Sequence, residues 1–263
     1  PHPTPRAHAP RPCHSSTLRS PAAPAEMTDS PGDLPENEGQ AAGREFDPTT
    51  MAMMPSEVVT KLVLLRHGEV EDFGKRVVRG QLDAPLSEVG HGQHERLVDW
   101  LSKHEAAPDM LYTSDLSRCA DLAARLEVTW GRAATVTKLL REQSLGRWQG
   151  RTWQEISAED GPLVTAYWDD YACTVPPGGE SLMQMGERVN TWLQGTLQKH
   201  PGKSITISTH IGVIRALLCE LLQVPRDQAL RFAPAVASTT EILISDAGPV
   251  ITRLGERPWL WKD

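Results

Sequence analysis

From residue 56 onward, short β-rich runs alternate with longer stretches in which apolar residues recur every three to four positions. The short runs predict buried strands, and the longer stretches predict amphipathic helices. The predicted strands are residues 63–65, 110–112, 134–138 and 204–208, followed by a strand pair at 239–244 and 250–254. Alternation of this kind is typical of an α/β sheet whose strands are joined by crossover helices.

The helices predicted by the same pattern are residues 88–104, 116–126, 152–159, 181–199 and 212–222. Four side chains share one face of the first helix: Leu97, Trp100, Leu101 and His104. We expect this face to pack on the sheet. The residues Thr113, Ser114 and Asp115 are good N-cap candidates for the second helix.

Residues 1–55 differ in composition from the rest of the chain. They hold 11 of the 21 prolines, and their only large hydrophobic residues besides methionine are Leu18, Leu34 and Phe46. Such a segment cannot bury enough apolar surface to offset the entropy lost on ordering. We therefore expect a disordered, proline-rich tail over residues 1–55 and one folded domain over residues 56–263, which contains all eight tryptophans.

The net charge of −7 comes without a clustered basic face, so we expect no nucleic-acid partner. No apolar run approaches the ~20 residues that cross a bilayer, so we expect no membrane partner. The cysteines lack the C-x-x-C spacing of a zinc site: Cys13, Cys119, Cys173 and Cys219. We expect a soluble cytoplasmic protein, as a monomer or homodimer, although the acid-free residues 1–25 faintly resemble a transit peptide.

Charged side chains follow the predicted strands at the edge where open α/β sheets bind ligands. Arg66 and His67 follow the first strand, Arg118 the second, Glu142 the third and His210 the fourth. Together they suit a phosphoryl group. Guanidinium groups bind phosphate oxygens in pairs, imidazole is a nucleophile for phosphorus, and a carboxylic acid can protonate the leaving oxygen.

Taken singly, each of these residues has an ordinary structural explanation. His210 alone is more often a hydrogen-bonded core or capping histidine, Arg118 a surface charge on a helix, and Glu142 a solvated loop residue. The prediction of a phosphoryl site therefore depends on the joint placement of all these residues at successive strand ends.

Six ordered segments resemble the motif series of the histidine phosphatase superfamily, in its phosphoglycerate-mutase-like branch. They are 64–69 (LLRHGE), 80–90 (GQLDAPLSEVG), 113–123 (TSDLSRCADLA), 140–150 (LREQSLGRWQG), 177–181 (PGGES) and 208–215 (STHIGVIR). The resemblance implies a three-layer α/β fold with a mostly parallel central sheet. It also implies a phosphatase that works without a metal or other cofactor on a small phosphorylated molecule.

The resemblance further implies a role for each residue of the predicted pocket. His67 is the nucleophile that becomes phosphorylated, and it attacks as a neutral imidazole. Arg66, Arg118 and a protonated His210 hold the phosphoryl oxygens. Glu142 protonates the leaving alcohol and then activates the water that hydrolyses the phosphohistidine.

Departures from the family pattern favour hydrolysis over mutase activity. Val70 and Phe73 stand where mutases place a hydroxyl residue and an asparagine, and Gln143 and Leu145 replace the arginine and tyrosine that follow the acid. Ile211 stands where the acid-phosphatase branch has its aspartate, which leaves Glu142 as the candidate acid. A phosphoglycerate mutase, and an inactive protein that only binds phosphorylated ligands, remain alternatives.

The leaving group is the part of the substrate that the sequence defines least. The chain most resembles α-ribazole phosphatases and broad-specificity phosphatases. Arg79 and Gly80 are candidate substrate contacts, and Arg79 with Arg76 forms either a second anion site or a solvated loop. Four aromatic residues either stack on a base or sugar or belong to the core: Phe73, Trp148, Trp153 and Trp168.

Removal of the tail tests the domain boundary. A chain that begins near Met54 retains every residue of the predicted pocket. We expect its kcat/KM for p-nitrophenyl phosphate to stay within about two-fold of the full chain, since a disordered terminus tolerates truncation. A large loss of activity would mean that the tail contributes to the site.

Overall fold

A six-stranded sheet organises the part of the chain described by the computed structural model, residues 58–75 and 77–260. The strands are β1 (Thr60–Arg66), β2 (Met110–Ser114), β3 (Ala134–Thr137), β4 (Ser204–Thr209), β5 (Thr239–Ser245) and β6 (Gly248–Glu256). Their order is β3-β2-β4-β1-β5-β6. The first four are parallel, and β5 and β6 run antiparallel to their neighbours. The predicted tail over residues 1–55 and Arg76 lie outside the described residues.

Helices cover both faces of the sheet. They are α1 (Glu88–His104), α2 (Ser117–Trp130), α3 (Trp153–Asp169), α4 (Leu182–Lys199) and α5 (Ile211–Leu221). Successive residues of β1 point to opposite layers. Leu62 and Leu64 pack with α4 and α5, whereas Val63 and Leu65 pack with α1 and α2. The predicted three-layer fold is therefore confirmed.

Helix α1 follows its predicted bounds, and Leu97 and Leu101 on its predicted face are buried. His104 on the same face is exposed, because it lies at the last turn and stacks on Trp100 instead of reaching the sheet. The other predicted strands and helices differ from the observed ones chiefly at their ends. Within the described ranges, no helix is long and apolar enough to cross a membrane.

Helix α3 is the element whose length the sequence underestimated. It continues ten residues beyond the predicted end at Glu159, through a kink at Asp160 and past Pro162. Two contacts in the tertiary structure stabilise this longer helix. The Asp160 carboxylate accepts a 2.9 Å hydrogen bond from the Trp148 indole N–H. After the kink, Tyr167 packs with Trp148 in a third, smaller core cluster.

The start of helix α2 also differs from the prediction. Its N-cap position is Leu116, not one of the predicted residues Thr113 to Asp115, because β2 extends to Ser114. The cap comes instead from a distant loop. The Asp83 carboxylate accepts hydrogen bonds from the Ser117 N–H at 2.8 Å and from its hydroxyl at 2.7 Å. A long-range contact from Asp83 thus supplies the cap that the sequence had assigned to local residues.

An ion cluster ties β1, β5 and β6 to the end of α1. Lys61 lies 2.7 Å from the Glu105 carboxylate and 2.9 Å from that of Glu241. Arg253 contacts Glu105 at 2.5 Å and Glu241 at 3.8 Å. Burial raises the pKa of Glu105, but hydrogen bonds from Lys61 and Arg253 outweigh it, so its pKa is lowered overall.

Replacing Glu105 tests this cluster. The stabilisation is present above the unfolded-state pKa of about 4.3 and is lost as pH falls through the lower folded-state pKa. We expect Glu105→Gln to lower the free energy of unfolding by about 1.5 to 3 kcal/mol at pH 7, the range for hydrogen bonds to charged groups. Urea unfolding at pH 7 and near pH 3 measures the difference, which should shrink at the lower pH.

The exposed carboxylate Glu187 on α4 provides the matched control. Glu187→Gln should leave stability unchanged at both pH values. A deficit in Glu105→Gln of the same size at both pH values would mean that packing, not charge, is responsible.

Candidate active site

The parallel register of β1 and β4 brings the two predicted site histidines together. Arg66 is paired with Thr209, so His67 and His210 leave their strands at the same level of the sheet. The His67 N–H donates to the Thr209 carbonyl at 3.2 Å. The two imidazole rings lie edge to face, with their centroids 5.2 Å apart.

The tautomer of His67 follows from its hydrogen bond. Its Nδ1 lies 2.7 Å from the Gly68 carbonyl oxygen, which can only accept, so Nδ1 carries the proton and Nε2 carries the lone pair. Burial lowers the pKa of His67 well below its ordinary value, and the guanidinium groups of Arg118 and Arg66 lower it further. At neutral pH His67 is therefore a neutral imidazole with a free Nε2, as a nucleophile requires.

His210 is fully buried at the start of α5. Its Nε2 lies 3.0 Å from the Ser114 hydroxyl and 3.4 Å from the Cys119 sulfur. Burial lowers its pKa well below the ordinary value, and Arg118, His67 and Arg66 act in the same direction. His210 is therefore neutral when no anion is bound, and its predicted protonation, which concerns the phosphate-bound protein, stays a prediction.

Arg118 is almost completely buried in the first turn of α2, and the loop between β1 and α1 holds its guanidinium. Its two Nη atoms donate to the carbonyl oxygens of Gly80 at 2.8 Å and Leu82 at 2.9 Å. Gly80 has a φ of +51°, and a Cβ there would lie 2.7 Å from the Gln143 carbonyl oxygen. Gly80 therefore contributes to the site through its backbone, by holding Arg118.

Arg66 is the last residue of β1, whereas the sequence predicted that it follows the strand. Its Nη1 donates to the Pro234 carbonyl at 2.7 Å, while its buried Nε has no partner among the described residues. Burial lowers the pKa of Arg66 to about 10, with Glu142 opposing and Arg215 adding to the effect. Arg66 stays charged at neutral pH, and its unpaired N–H is available to an anion.

Glu142 lies in the loop after β3 and is fixed by two backbone amides. Its Oε1 accepts from the Gln143 N–H at 2.9 Å, and its Oε2 accepts from the Gly212 N–H at 3.1 Å. A Cβ at Gly212 would lie 2.1 Å from Glu142 Oε1, so only glycine leaves room for the carboxylate. Its backbone is tied to the Arg118-binding loop by a 3.1 Å hydrogen bond from Gln81 to the Glu142 carbonyl.

Arg79 donates to the carbonyl oxygens of Val77, at 3.1 Å, and of Glu71. Its proposed substrate contact therefore stays a prediction. Trp148 is completely buried, so it belongs to the core and not to the mouth of the pocket. Phe73 and Trp168 are about half exposed. Among these aromatic candidates, exposure thus separates the core residue from those that a ligand can reach.

Sequence reasoning missed three residues that act through their backbone, Leu82, Pro234 and Gly212, and it proposed Gly80 as a substrate contact, not as a backbone partner of Arg118. Backbone carbonyl and amide groups are common to all residue types, so the sequence carries no signal for such contacts. It also missed Tyr171, whose pKa is raised by burial and then by Glu142, and which hydrogen-bonds Arg215. Arg215 ends the STHIGVIR segment, and that was the available signal. Among the described residues, no group of three or more His, Cys, Asp or Glu side chains is arranged to hold a metal ion.

The model of the histidine phosphatase superfamily (branch 1) matches residues 62–257. The chain is 32% identical over 184 residues to a metal-independent phosphoserine phosphatase of Arabidopsis thaliana, covering 69% of this chain and 76% of that protein. It is 34% identical over 174 residues to the glucosyl-3-phosphoglycerate phosphatase of Mycobacterium tuberculosis, covering 63% of this chain and 76% of that protein.

Among solved structures, an α-ribazole phosphatase from Shigella flexneri superposes with a TM-score of 0.69 over 75% of this chain and 96% of that chain. At 23% identity this likeness concerns the fold alone. The match to the family spans every residue of the candidate site and all of the sheet except the first two residues of β1, Thr60 and Lys61. The chain therefore belongs to branch 1 of the histidine phosphatase superfamily and is a phosphatase.

Proposed function

We propose that this phosphatase hydrolyses small phosphomonoesters through a phosphohistidine formed on His67. One observation carries the proposal: the His67 proton is tied to Nδ1 by the Gly68 carbonyl, which leaves a neutral Nε2 beside two buried guanidinium groups. A neutral, oriented nucleophile next to fixed cations suits attack on a phosphoryl group.

In the first half of the reaction, the His67 Nε2 lone pair forms a bond to phosphorus while the bond to the leaving oxygen breaks. Arg66 and Arg118 hold the nonbridging oxygens through the N–H groups that their carbonyl partners leave available. The negative charge of the bound phosphate favours the protonated form of His210, which then donates to the same oxygens. Glu142 gives its proton to the departing alcohol.

In the second half, Glu142 is a carboxylate and takes a proton from a water molecule. The water oxygen attacks phosphorus, the bond from phosphorus to His67 Nε2 breaks, and inorganic phosphate leaves. Glu142 is protonated again and His67 is again neutral, so the cycle closes without another reactant. The backbone amides of Gln143 and Gly212 keep the carboxyl group in one place through both steps.

The surroundings of the acid support hydrolysis rather than phosphoryl transfer to a second site. Val70 is buried, and the Gln143 amide donates to the Glu180 carbonyl at 2.9 Å. Neither side chain is free to hold a second anionic group. An intermediate left without such a contact is released to water.

The substrate class follows from the relatives and from the leaving-group side of the pocket. The named relatives act on phosphoserine and on glucosyl-3-phosphoglycerate, both of which carry a carboxylate. Arg79 and Arg215 are partly exposed cations close enough to Arg118 and Arg66 to act on them electrostatically, so this side of the proposed pocket is positively charged and would favour a substrate carboxylate. We therefore rank small phosphorylated acids ahead of α-ribazole phosphate, to which the likeness is one of fold.

A side-by-side screen tests this ranking. Phosphoserine, glucosyl-3-phosphoglycerate, 3-phosphoglycerate and α-ribazole 5′-phosphate are compared by kcat/KM, with phosphate release as the readout. A preference for α-ribazole 5′-phosphate would reverse the ranking. Formation of 2-phosphoglycerate from 3-phosphoglycerate would establish the mutase alternative.

Substitution of the nucleophile and of one cation tests the mechanism. Loss of one contact of the oxyanion type costs about 10²- to 10³-fold in rate. We expect Arg118→Ala to lower kcat/KM for p-nitrophenyl phosphate by at least that factor, and His67→Ala to lower it further. Assays run in EDTA, because the proposed steps use no metal.

The matched controls are His104→Ala and Arg132→Ala, at exposed positions away from the pocket. Both should retain wild-type activity. Full activity in His67→Ala would refute the assignment. An inactive wild-type chain that still binds inorganic phosphate would support the binding-protein alternative.

The placement of the acid gives a separate prediction. Gly212→Ala forces the Glu142 carboxylate to move. We expect kcat/KM for phosphoserine, a poor leaving group, to fall by about 10²-fold, the lower end for general acid catalysis. The loss should be smaller for p-nitrophenyl phosphate, whose leaving group needs no proton.

Gly195→Ala, at a helix position with open space around it, is the control and should be unchanged. Glu142→Gln should reproduce the leaving-group dependence of Gly212→Ala. Equal losses for both substrates would argue against Glu142 as the proton donor.

A further inference from the structure

His94 is a fully buried histidine on α1 that contacts the backbone beside the nucleophile. Its Nε2 lies 2.7 Å from the Gly68 N–H, and its Nδ1 lies 2.8 Å from the Asp121 carboxylate. The amide can only donate and the carboxylate can only accept, so both bonds exist together in one tautomer. That tautomer has the proton on Nδ1 and the lone pair on Nε2.

The charge state of His94 agrees with this tautomer. Burial lowers its pKa, and this outweighs the opposing hydrogen bond to Asp121. The other ionisable groups that act on it are Arg125 and His91, which lower the pKa further. His94 is therefore neutral at physiological pH and can accept the Gly68 N–H.

The two peptide groups around Gly68 are both held by α1. The first donates its N–H to His94, and the second donates the N–H of Glu69 to the Gln93 side chain at 2.8 Å. The carbonyl of the second peptide is the one that accepts the proton of His67 Nδ1. The orientation of the His67 ring thus depends on a backbone segment that two neighbouring side chains of α1 fix.

The packing around Gly68 leaves it little freedom to move toward α1. A Cβ at this position would lie 2.7 Å from the Gly90 carbonyl oxygen and 3.0 Å from the His94 ring. Without an acceptor at His94, the Gly68 N–H would be buried and unpaired, which costs about 1 to 3 kcal/mol. The segment would then shift to recover a partner and would carry the Gly68 carbonyl with it.

We propose that His94 is a positioning residue for catalysis, with Asp121 fixing its tautomer, and that the pair aims the nucleophile through Gly68. The proposal rests on the role of His67 under the proposed function. His94 and Asp121 touch no substrate. They act by holding His67 Nε2 in line with phosphorus, where a misplacement of about 1 Å costs about 10²-fold in rate.

The first test replaces the acceptor at position 94. His94→Leu removes it at similar volume, whereas His94→Gln offers an amide oxygen close to the position of Nε2. The readout is the first-order rate constant for phosphoenzyme formation from p-nitrophenyl phosphate, measured by rapid mixing with an alkaline quench. This constant does not depend on the fraction of folded protein.

We expect His94→Leu to lower this rate constant by about 10²-fold, by the misplacement argument above, and His94→Gln to recover most of the loss. The inhibition constant for inorganic phosphate should change little in both, because Arg66 and Arg118 keep their own carbonyl partners. Equal losses in both variants, or a parallel loss of phosphate binding, would contradict the positioning role and indicate a general packing defect.

The second test changes Asp121, which is partly exposed and so less critical for folding. Asp121→Asn keeps an acceptor for the His94 Nδ1 proton, whereas Asp121→Leu removes it and frees the imidazole to take the other tautomer. We expect a near wild-type rate constant in the first and a clear loss in the second. Two-bond ¹H–¹⁵N spectra should show the Nδ1-protonated ring in the wild type and in Asp121→Asn only.

Arg125→Gln is the matched control, since Arg125 also donates to the Asp121 carboxylate, at 2.9 Å. It should leave the rate constant unchanged. A wild-type rate in Asp121→Leu together with an altered tautomer would overturn the role of Asp121. Failure of the proposed function shows separately, as activity that survives in His67→Ala.

Discussion

Two guanidinium groups lie at the end of the parallel strands, and each N–H taken from water there needs a new acceptor. Removing a charge from water costs several kcal/mol unless hydrogen bonds compensate it. Arg118 donates to the carbonyls of Gly80 and Leu82, and Arg66 donates to that of Pro234. The loops after β1 and before β5 are therefore arranged around these cations, and the rest of the pocket is built on that arrangement.

The same cations determine the protonation of the two histidines. Burial lowers the pKa of His67 and His210, and the nearby guanidinium groups add to the effect, so the pocket holds its positive charge on arginine alone. A phosphate group reverses the local field and favours a proton on His210. Under the proposed function, His67 and His210 thus start from the same neutral state, and the bound phosphate distinguishes the nucleophile from the phosphate ligand.

Individual elements show where sequence reasoning succeeded and where it failed. Helix α1 was predicted at its observed bounds because its apolar spacing is a local signal, and the structure adds a cap at the adjacent Ser87. The predicted N-cap of α2 was wrong because Asp83, a residue of another loop, supplies the cap. The length of α3 was underestimated because the local pattern predicts the helix to end near Asp160. The hydrogen bond from Trp148 to Asp160 stabilises a kink there, and the helix continues beyond it. Errors arose where a distant contact replaced a local signal.

The sequence by itself determined the α/β class, the order of strands and helices, and the residue types at the strand ends that point to phosphoryl chemistry. These follow from side-chain periodicity and chemistry, which each short segment carries alone. Only the tertiary structure decided which carbonyls hold Arg66 and Arg118, that glycine must face Glu142, and which nitrogen of His67 is free. Hydrogen-bond partners, tautomers and charge states depend on atoms that folding brings together from distant parts of the chain, and no single segment contains that information.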